Sequence, residues 1–378
     1  MDKGSYSANG GPSVEIDGTV ISDSAECYVI AEIGHNHQGS LEQAKELFQR
    51  AHECGANAVK LQKRDNKSLY TSDYFHRPYE HENSFGPTYG SHREALEFGK
   101  DEYQELRSFT KELGITFFAT AFDFRSADFL ADLDMPAYKI ASGDLTNTPL
   151  LRYVGEIGKP VVFSTGAGTL DDVGRAYETV AAVNDQVAIL QCTAGYPADF
   201  EELDLRVIQT YKQLFPDAIV GFSGHDSGIA MAVAAYVLGA RIVEKHFTLN
   251  RAMKGTDHAF SLEVPGLSRL VRDLRRTHVA LGDGTKKMYP SESDPALKMG
   301  KKLVAARDLP AGQSLAEDDI ALKSPGDGLP PYELDRFIGR TLRHPVGEDT
   351  ALTFELLEEL IPEQLDDALL PAGERAPE

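Results

Sequence analysis

The chain has 378 residues, a hydrophobic fraction of 42% and a formal net charge of −21 at pH 7. This length is enough for one large domain and a second, small one. The negative charge argues against binding to nucleic acid or to an anionic membrane surface, because both are themselves negatively charged. It also opposes long-range attraction of an anionic substrate, so a site for such a substrate must be built from local groups.

Cysteine usage and the first residues indicate a cellular compartment. Cys27, Cys54 and Cys192 are odd in number and widely spaced, which favours neither a disulfide framework nor a zinc ribbon. Residues 1–18 are polar and lack the apolar core of a signal peptide. No apolar run approaches the roughly 18 residues of a membrane span. We therefore expect a cytoplasmic protein with reduced thiols.

Short apolar segments alternate with amphipathic ones along most of the chain. The apolar segments are rich in Val and Ile, which is typical of strands buried on both faces of a parallel sheet. Amphipathic segments such as 40–55 and 102–114 have apolar residues at helical spacing and stop at glycine. The predicted strands are 27–33, 57–62, 116–121, 137–141, 160–164, 187–192, 218–223 and 241–246. Eight such units with helical crossovers predict a (β/α)8 TIM barrel of the α/β class.

The segment between the second and third predicted strands is unusually long. Residues 70–98 read YTSDYFHRPYEHENSFGPTYGSHREALEF and are dense in aromatic, His, Asn and Gly residues. A long loop of this kind usually has a function. Asn83 lies within it, and we consider its amide a candidate for binding a hydroxyl group.

The pattern changes near residue 285, where turn residues and a charge cluster replace the alternation. Short β-like pieces separated by Pro and Gly then follow, which indicates a small β-rich domain. The end of the chain is acidic and contains proline, which favours disorder. We divide the chain into an N-terminal extension (1–24), a barrel (25–284), a linker (285–299), a β-rich domain (300–360) and a disordered acidic tail (361–378).

Four functional side chains lie where an apolar strand gives way to Gly, Asn or Asp. They are Glu32, Lys139, His225 and His246. In a barrel of parallel strands the C-terminal strand ends converge on one mouth, where catalysis takes place. Two imidazoles, a lysine and a carboxylate at that mouth indicate a metal site beside an anion site.

A series of motifs resembles the sialic acid synthase family. They are AEIGHNHQG, VKLQK, YKIASGDLTN, VVFSTGAGT, GFSGHD and VEKHFTLNRAMKGTDHAFSLE, in family order. The later region AARDLPAGQSLAEDDIALKSPGDGLPP resembles the antifreeze-like SAF domain, a β-clip, that follows the barrel in that family. The resemblance covers about residues 25–360. It implies a homodimeric enzyme that condenses phosphoenolpyruvate with a sugar aldehyde and water, each SAF domain closing the partner's site.

The resemblance also implies roles for individual residues. His225 and His246 match metal ligands and suit Mn²⁺, or else Mg²⁺ or Co²⁺, which would polarise the aldehyde. Phosphoenolpyruvate carries a phosphate and a carboxylate and therefore needs cations and oriented donors. The matching residues are Lys60, Thr120, Lys139, Ser142, Ser164 and Ser223 for phosphoenolpyruvate, Glu32 and Asp144 for catalysis, and Gln62, Tyr196 and Asp257 for the sugar.

Three positions depart from the family pattern. Asp144 stands where the better-known members have Glu, and Ala194 stands where they have Asn. Ser324 stands where they have an Arg that reaches the partner's barrel and touches the N-acyl group of the sugar. The acceptor is therefore open between N-acetylmannosamine and another hexose or amino sugar. Lys323, or the pair at 301–302, offers positive charge in its place.

Two other functions fit part of the pattern. One is another metal-dependent barrel enzyme that forms C–C bonds, such as a 3-deoxy sugar-acid phosphate synthase or a class II aldolase. The 3-deoxy sugar-acid synthases use a Cys beside His, Glu and Asp ligands; Cys27 would lie away from the mouth, whereas Cys192 ends its strand. The other is a sugar-binding or ice-binding protein without catalysis, which would not need these cations and acids in one mouth.

Overall fold

The computed structural model describes residues 11–359, and the chain divides into two compact units between Gly282 and Asp283. The predicted tail at 361–378 lies outside the described residues. The first unit begins with an antiparallel hairpin of β1 (Ser13–Ile16) and β2 (Thr19–Ser22). This hairpin falls in the segment that the sequence marks only as an N-terminal extension.

Eight parallel strands follow and close into a barrel, in which the last strand pairs with the first. This confirms the predicted (β/α)8 architecture. The strands are β3 (Tyr28–Gly34), β4 (Ala58–Lys63), β5 (Thr116–Ala121), β6 (Tyr138–Ile140), β7 (Val161–Ser164), β8 (Val187–Cys192), β9 (Ile219–Gly224) and β10 (Ile242–His246).

Helices surround the barrel and bury their apolar faces against it. Many begin at a side-chain cap; the Ser40 hydroxyl, for example, accepts a hydrogen bond from the Gln43 backbone N–H at the start of the first helix. The long predicted loop at 70–98 contains two short helices, and a third precedes it directly. The helices of this unit are α1 (Leu41–Glu53), α2 (Asn66–Leu69), α3 (Ser72–Phe75), α4 (Tyr89–Glu94), α5 (Lys100–Leu113), α6 (Phe124–Asp132), α7 (Thr148–Glu156), α8 (Leu170–Ala181), α9 (Val207–Leu214), α10 (Ala230–Val237) and α11 (Val264–Leu281).

The barrel interior is apolar where the strands begin. Inward-facing residues of the first half of each strand form one buried cluster with side chains of the N-terminal hairpin, which closes that end. The cluster contains Val14, Ile16, Ile21, Tyr28, Ile30, Ala58, Phe118, Ala137, Val162, Ala188, Leu190, Ile219 and Ile242. Because side chains alternate along a strand, the next inward position in most strands lies at the opposite end of the barrel.

The second unit has its own core. It contains α12 (Ser293–Met299), which lies within the predicted linker, and an antiparallel pair of β11 (Lys302–Ala305) and β12 (Ile320–Lys323). Of the short β-like pieces that the sequence predicts for this region, the segment 341–346 forms isolated bridges and not a strand. The buried apolar residues of the second unit include Leu303, Phe337 and Leu342. Among the described residues, no helix is both long and apolar enough to cross a membrane.

Candidate active site

A cavity of about 550 Å³ lies at the C-terminal ends of the barrel strands. The structure brings most of the predicted site residues into its wall. Those that line it are Glu32, Lys60, Gln62, Thr120, Lys139, Ser142, Ser164, Tyr196, Ser223, His225, His246 and Asp257. Residues from all eight strands or from the loops that follow them therefore meet in one space, as the convergence of parallel strand ends requires.

A buried ion-pair network surrounds Lys60. Its Nζ lies 2.6 Å from Glu32 Oε2 and 3.6 Å from Glu244 Oε1, and it donates to Thr120 Oγ1 at 2.8 Å. All four side chains are buried. Burial raises the pKa of Glu32 to about 7, although the Lys60 cation acts in the opposite direction. Glu32 is thus a carboxyl group that exchanges a proton near neutral pH.

Lys139 forms the second cationic point of the cavity. Its Nζ donates to Ser164 Oγ at 2.7 Å and to the Ile140 carbonyl at 3.0 Å. Both partners are neutral, and burial lowers the pKa of Lys139. A buried ammonium with only neutral hydrogen-bond partners is well suited to receive an anion.

The two histidines of the predicted metal site lie side by side, with ring centroids 5.5 Å apart. His225 Nδ1 donates to the Thr193 carbonyl at 2.8 Å, which leaves its Nε2 as a free lone pair. The Nδ1 of His246 is buried without a hydrogen-bond partner and lies 3.9 Å from Asp257 Oδ2. Burial lowers the pKa of His246, so its imidazole is neutral. Two imidazoles placed side by side in this way fit a divalent metal ion.

The protein contributes only part of a coordination shell. Within residues 11–359, no three His, Cys, Asp or Glu side chains converge closely enough to hold a metal ion. Substrate oxygens and water would therefore supply the remaining ligands of any ion held by the two histidines.

A second buried ion pair holds the two histidine-bearing strand ends together. Lys245 Nζ donates to Asp226 Oδ1 at 2.9 Å and to the Asp226 carbonyl at 2.7 Å. Asp226 follows His225 in sequence, and Lys245 precedes His246. Both members of the pair are buried, so it fixes the spacing of the imidazoles from the side facing away from the cavity.

The predicted sugar contacts lie on one side of these groups. Gln62 Nε2 donates to Glu32 Oε1 at 2.7 Å, and the Tyr196 ring lies against His225 with centroids 4.1 Å apart. Gly34 closes this corner: its φ is +55°, and a Cβ there would lie 3.2 Å from Glu32 Oε1. Little room is thus left around the Glu32 carboxyl except on the cavity side.

Three predicted site residues do not line the cavity. Asp144 is half-buried on a turn after β6 and accepts a hydrogen bond from the Asn147 amide at 3.0 Å. Asn83 uses its side-chain oxygen to accept from the Gly255 backbone N–H at 3.0 Å. Ser324 belongs to the second unit, where its hydroxyl accepts from Lys301 Nζ at 2.5 Å.

Several lining residues were missed by the sequence analysis, and two of them follow a simple rule. Glu244 lies two residues before His246, and Arg64 lies two residues beyond Gln62, which itself lies two residues beyond Lys60. Side chains on one face of a strand recur at every second residue, so extending the pattern would have found both. Arg93 on α4 and Cys192, whose Sγ lies 3.9 Å from His225 Nδ1, also line the cavity.

Comparison with known proteins agrees with this geometry. The model of the NeuB family matches residues 47–286, and that of the SAF domain matches residues 302–358. The N-acetylneuraminate-9-phosphate synthase of Mus musculus is 40% identical over 333 residues, which are 88% of this chain and 93% of that protein. The N,N'-diacetyllegionaminic acid synthase of Legionella pneumophila is 33% identical over 341 residues, which are 89% and 96%.

A solved structure shares the fold. The N-acetylneuraminic acid synthetase of Leptospira borgpetersenii, crystallised with citrate, superimposes with a TM-score of 0.66 at 28% identity. That match covers 75% of this chain and 95% of the Leptospira chain. The resemblance noted from the motifs is thereby confirmed across both units, and the chain belongs to the NeuB family and carries a SAF domain.

Proposed function

We propose that this protein condenses phosphoenolpyruvate with the aldehyde of a hexose or amino sugar and with water, giving a nonulosonic acid and phosphate. The observation that carries the proposal is the meeting of Lys60 and Lys139, a row of hydroxyl groups and two histidines in one cavity. The relatives' names support the reaction type, since they are synthases of such acids. Those names include a phosphorylated and an unphosphorylated product, so they leave the charge of the acceptor open.

The binding of phosphoenolpyruvate falls to the lysines and hydroxyls. Each ammonium has three donors, and Lys139 uses its donors only on neutral groups. Ser142, Ser164 and Ser223 line the same wall and can donate to phosphate oxygens. Lys60, Lys139 and Ser164 are already held by hydrogen bonds, which lowers the entropic cost of binding.

His225 and His246 would hold a divalent ion, for which we propose Mn²⁺, with Mg²⁺ or Co²⁺ as substitutes, and this ion would polarise the aldehyde oxygen as a Lewis acid. The protein's own part is to position both imidazoles at the cavity wall. The Thr193 carbonyl orients the ring of His225, and burial lowers the pKa of His246.

The proposed reaction needs one proton for the new hydroxyl group and must remove one from water. Carbon 3 of phosphoenolpyruvate attacks the aldehyde carbon, and the former aldehyde oxygen is protonated. Water then adds at carbon 2, and phosphate leaves with cleavage of its C–O bond. Glu32, whose pKa is raised to about 7, can give the first proton and accept the second.

The runner-up function is a 3-deoxy sugar-acid phosphate synthase or a class II aldolase. Cys192 lies close to His225, which is the one observation in its favour. However, the Cys, His, Glu and Asp ligand set expected for the first of these enzymes does not assemble in the described part of the chain.

The homodimer and the closing of one site by the partner's SAF domain remain predictions that sedimentation analysis would test.

The deciding experiment measures release of inorganic phosphate from phosphoenolpyruvate with Mn²⁺, with and without chelator. The panel of acceptors holds N-acetylmannosamine and its 6-phosphate, mannose, arabinose 5-phosphate and diacetamido-trideoxyhexoses. Release that requires a mannose-type or diacetamido-trideoxyhexose acceptor and is lost with chelator supports the proposed function, whereas release with arabinose 5-phosphate alone supports the 3-deoxy sugar-acid phosphate synthase. An aldolase would instead act on its acceptor without releasing phosphate from phosphoenolpyruvate, which would contradict the proposal.

A further inference from the structure

Two arginines in the cavity wall have no part in the reaction described above. Arg64 follows β4 directly and is only 7% exposed, and Arg93 lies on α4 in the long loop. Both line the same cavity as Lys60 and Lys139. In a chain with a net charge of −21, two additional cations gathered in one cavity require an explanation.

Neither guanidinium is neutralised by an ion pair. Within the described part of the chain, no carboxylate oxygen lies within 4.0 Å of either. The nearby Glu97 is paired with Lys63 at 3.0 Å instead. Burial, and then the like charge of Arg93, lower the pKa of Arg64. Burial acts to lower the pKa of Arg93, but the neighbouring Tyr89 and Tyr70 side chains, and then Asp257, raise it overall. Burial of a cation without a counter-ion costs free energy. The two guanidinium groups therefore leave an excess of positive charge in this part of the cavity.

The two side chains also have more donors than acceptors. A guanidinium carries only N–H donors. Arg64 donates to Gln62 Oε1 at 2.7 Å, and Arg93 donates to the Tyr89 hydroxyl at 2.8 and 3.0 Å. Both also face His35, with Arg64 3.0 Å from its Nε2 and Arg93 3.3 Å from its Nδ1.

His35 cannot satisfy both arginines. Burial and the two guanidinium charges hold its pKa well below the usual range, so the ring is neutral. One of its nitrogens then carries a hydrogen and cannot accept. The Phe122 ring lies 3.7 Å from the Arg64 guanidinium carbon and covers one of its faces. The N–H donors along the edges of both guanidinium groups thus outnumber their acceptors. Packing fixes the plane in which these donors lie.

We propose that Arg64 and Arg93 form a second anion subsite, which binds a phosphate monoester carried by the acceptor sugar. This inference rests on the proposed function. Under the proposed function, Lys139, the hydroxyl groups of the wall and Lys60, which is itself paired with Glu32 and Glu244, bind phosphoenolpyruvate. A phosphate dianion matches two unpaired cations in charge, and its oxygens match the paired N–H groups of a guanidinium edge. The acceptor would thus be a sugar phosphate.

The test compares matched acceptors with the full-length protein, phosphoenolpyruvate and Mn²⁺. The ratio of kcat/KM for N-acetylmannosamine 6-phosphate to that for N-acetylmannosamine is measured, and likewise for mannose 6-phosphate and mannose. The wild-type ratio should exceed one, and Arg64→Gln and Arg93→Gln should each lower it about 10- to 100-fold, as expected for lost charge-assisted bonds. A ratio is unaffected by any loss of folded protein.

The matched control is Arg175→Gln. Arg175 pairs with Asp172 on the exposed face of α8 at 2.9 Å and does not line the cavity, so this change removes the same charge without altering the ratio. An equal ratio in Arg64→Gln, Arg93→Gln and wild type would overturn the subsite. So would a rise in KM for phosphoenolpyruvate that is the same with either acceptor, since the arginines would then serve that substrate.

Inorganic phosphate distinguishes the sugar phosphate from the released product. If free phosphate inhibits turnover of the neutral acceptor in the wild type but not in Arg64→Gln, while the acceptor ratio is unchanged, the subsite holds product and the acceptor assignment is wrong. Turnover of neutral acceptors without preference contradicts this inference alone. No phosphate release with any acceptor contradicts the proposed function, and this inference with it.

Discussion

The two ends of the barrel interior carry opposite chemistry on the same strands. Along β4, Ala58 belongs to the apolar cluster and Lys60 lies in the cavity wall. Along β10, Ile242 belongs to the cluster, whereas Glu244 and His246 line the cavity. A distance of two residues along a strand thus separates the apolar packing from the ion pairs. Each strand stabilises the fold where it begins and contributes functional side chains where it ends.

This comparison explains why so many charges are tolerated inside the barrel. The apolar end is closed by the N-terminal hairpin and excludes water, while each charge at the other end has a partner or faces the cavity. Burial of a charge costs several kcal/mol unless it is paired, so the apolar half must offset the polar half. Substitutions at the two ends should therefore separate stability from activity.

The largest expected effect is at the polar end. His225→Ala should lower metal-dependent phosphate release on the order of a thousandfold, because the metal's contribution to catalysis amounts to several kcal/mol. The thermal unfolding midpoint should stay near that of the wild type, since the ring borders the cavity. His52→Ala, at an exposed position on α1, serves as the control. Full metal-dependent activity in His225→Ala would refute the metal-site assignment.

At the apolar end, Phe118→Ala should lower the free energy of unfolding by about 3–5 kcal/mol, because it empties a large space among buried neighbours. The kcat/KM per folded molecule should not change, since Phe118 does not line the cavity. Denaturant titration measures the first quantity. Phe200→Ala, at a phenylalanine that is 61% exposed, should cost less than about 0.5 kcal/mol. A comparable loss of unfolding free energy in Phe118→Ala and Phe200→Ala would contradict the proposal that the apolar end of the barrel stabilises the fold.

Lys139→Met should raise the KM for phosphoenolpyruvate about 10- to 100-fold, by removing a charged donor to the anion. The free energy of unfolding should not fall along with the affinity for phosphoenolpyruvate. Burial lowers the pKa of Lys139, so its charged form opposes folding; this penalty is fully present below the lowered pKa and eases as the pH rises through it toward the ordinary lysine value. The stability gap between variant and wild type should thus narrow at alkaline pH.

Lys159→Met is the control for Lys139→Met, because Lys159 is half exposed and pairs with Asp134 at 3.0 Å on the surface. It should leave the KM for phosphoenolpyruvate unchanged. A gap between Lys139→Met and wild type that widens with rising pH would have the wrong sign for a buried lysine with a lowered pKa.

The smallest effect concerns the hairpin that closes the barrel. Ile16→Val should cost about 0.5–1.5 kcal/mol of unfolding free energy by removing one buried methylene, with no change in KM for either substrate. Val20→Ala, on the exposed side of the hairpin, should cost less than about 0.5 kcal/mol. Equal costs would show that the hairpin does not pack into the barrel.

Sequence patterns were sufficient for the elements with a strong period. The eight strands were predicted to within one or two residues, because buried parallel strands read as short runs of Val and Ile between turn residues. The hairpin at Ser13–Ile16 and Thr19–Ser22 was missed, since four-residue strands in a polar segment have too few apolar positions to show a pattern.

Within the site, the motifs predicted His225, His246 and Lys60, which the structure brings into one cavity. Arg93 could not be predicted, because it reaches the wall from α4, in a loop whose path no periodicity describes. Asn83 was assigned to the sugar from composition alone, and the structure shows its amide bound to the backbone at Gly255.

By itself, the sequence determined the fold class, the strand order and the strand ends at which the functional side chains lie. These follow from local periodicity and from the rule that parallel strand ends meet at one mouth. Only the tertiary structure decided the electrostatics: that Lys60 is shared between Glu32 and Glu244, and that two arginines remain unpaired. Such facts depend on distances between residues far apart in the chain and on their removal from water, which no local pattern encodes.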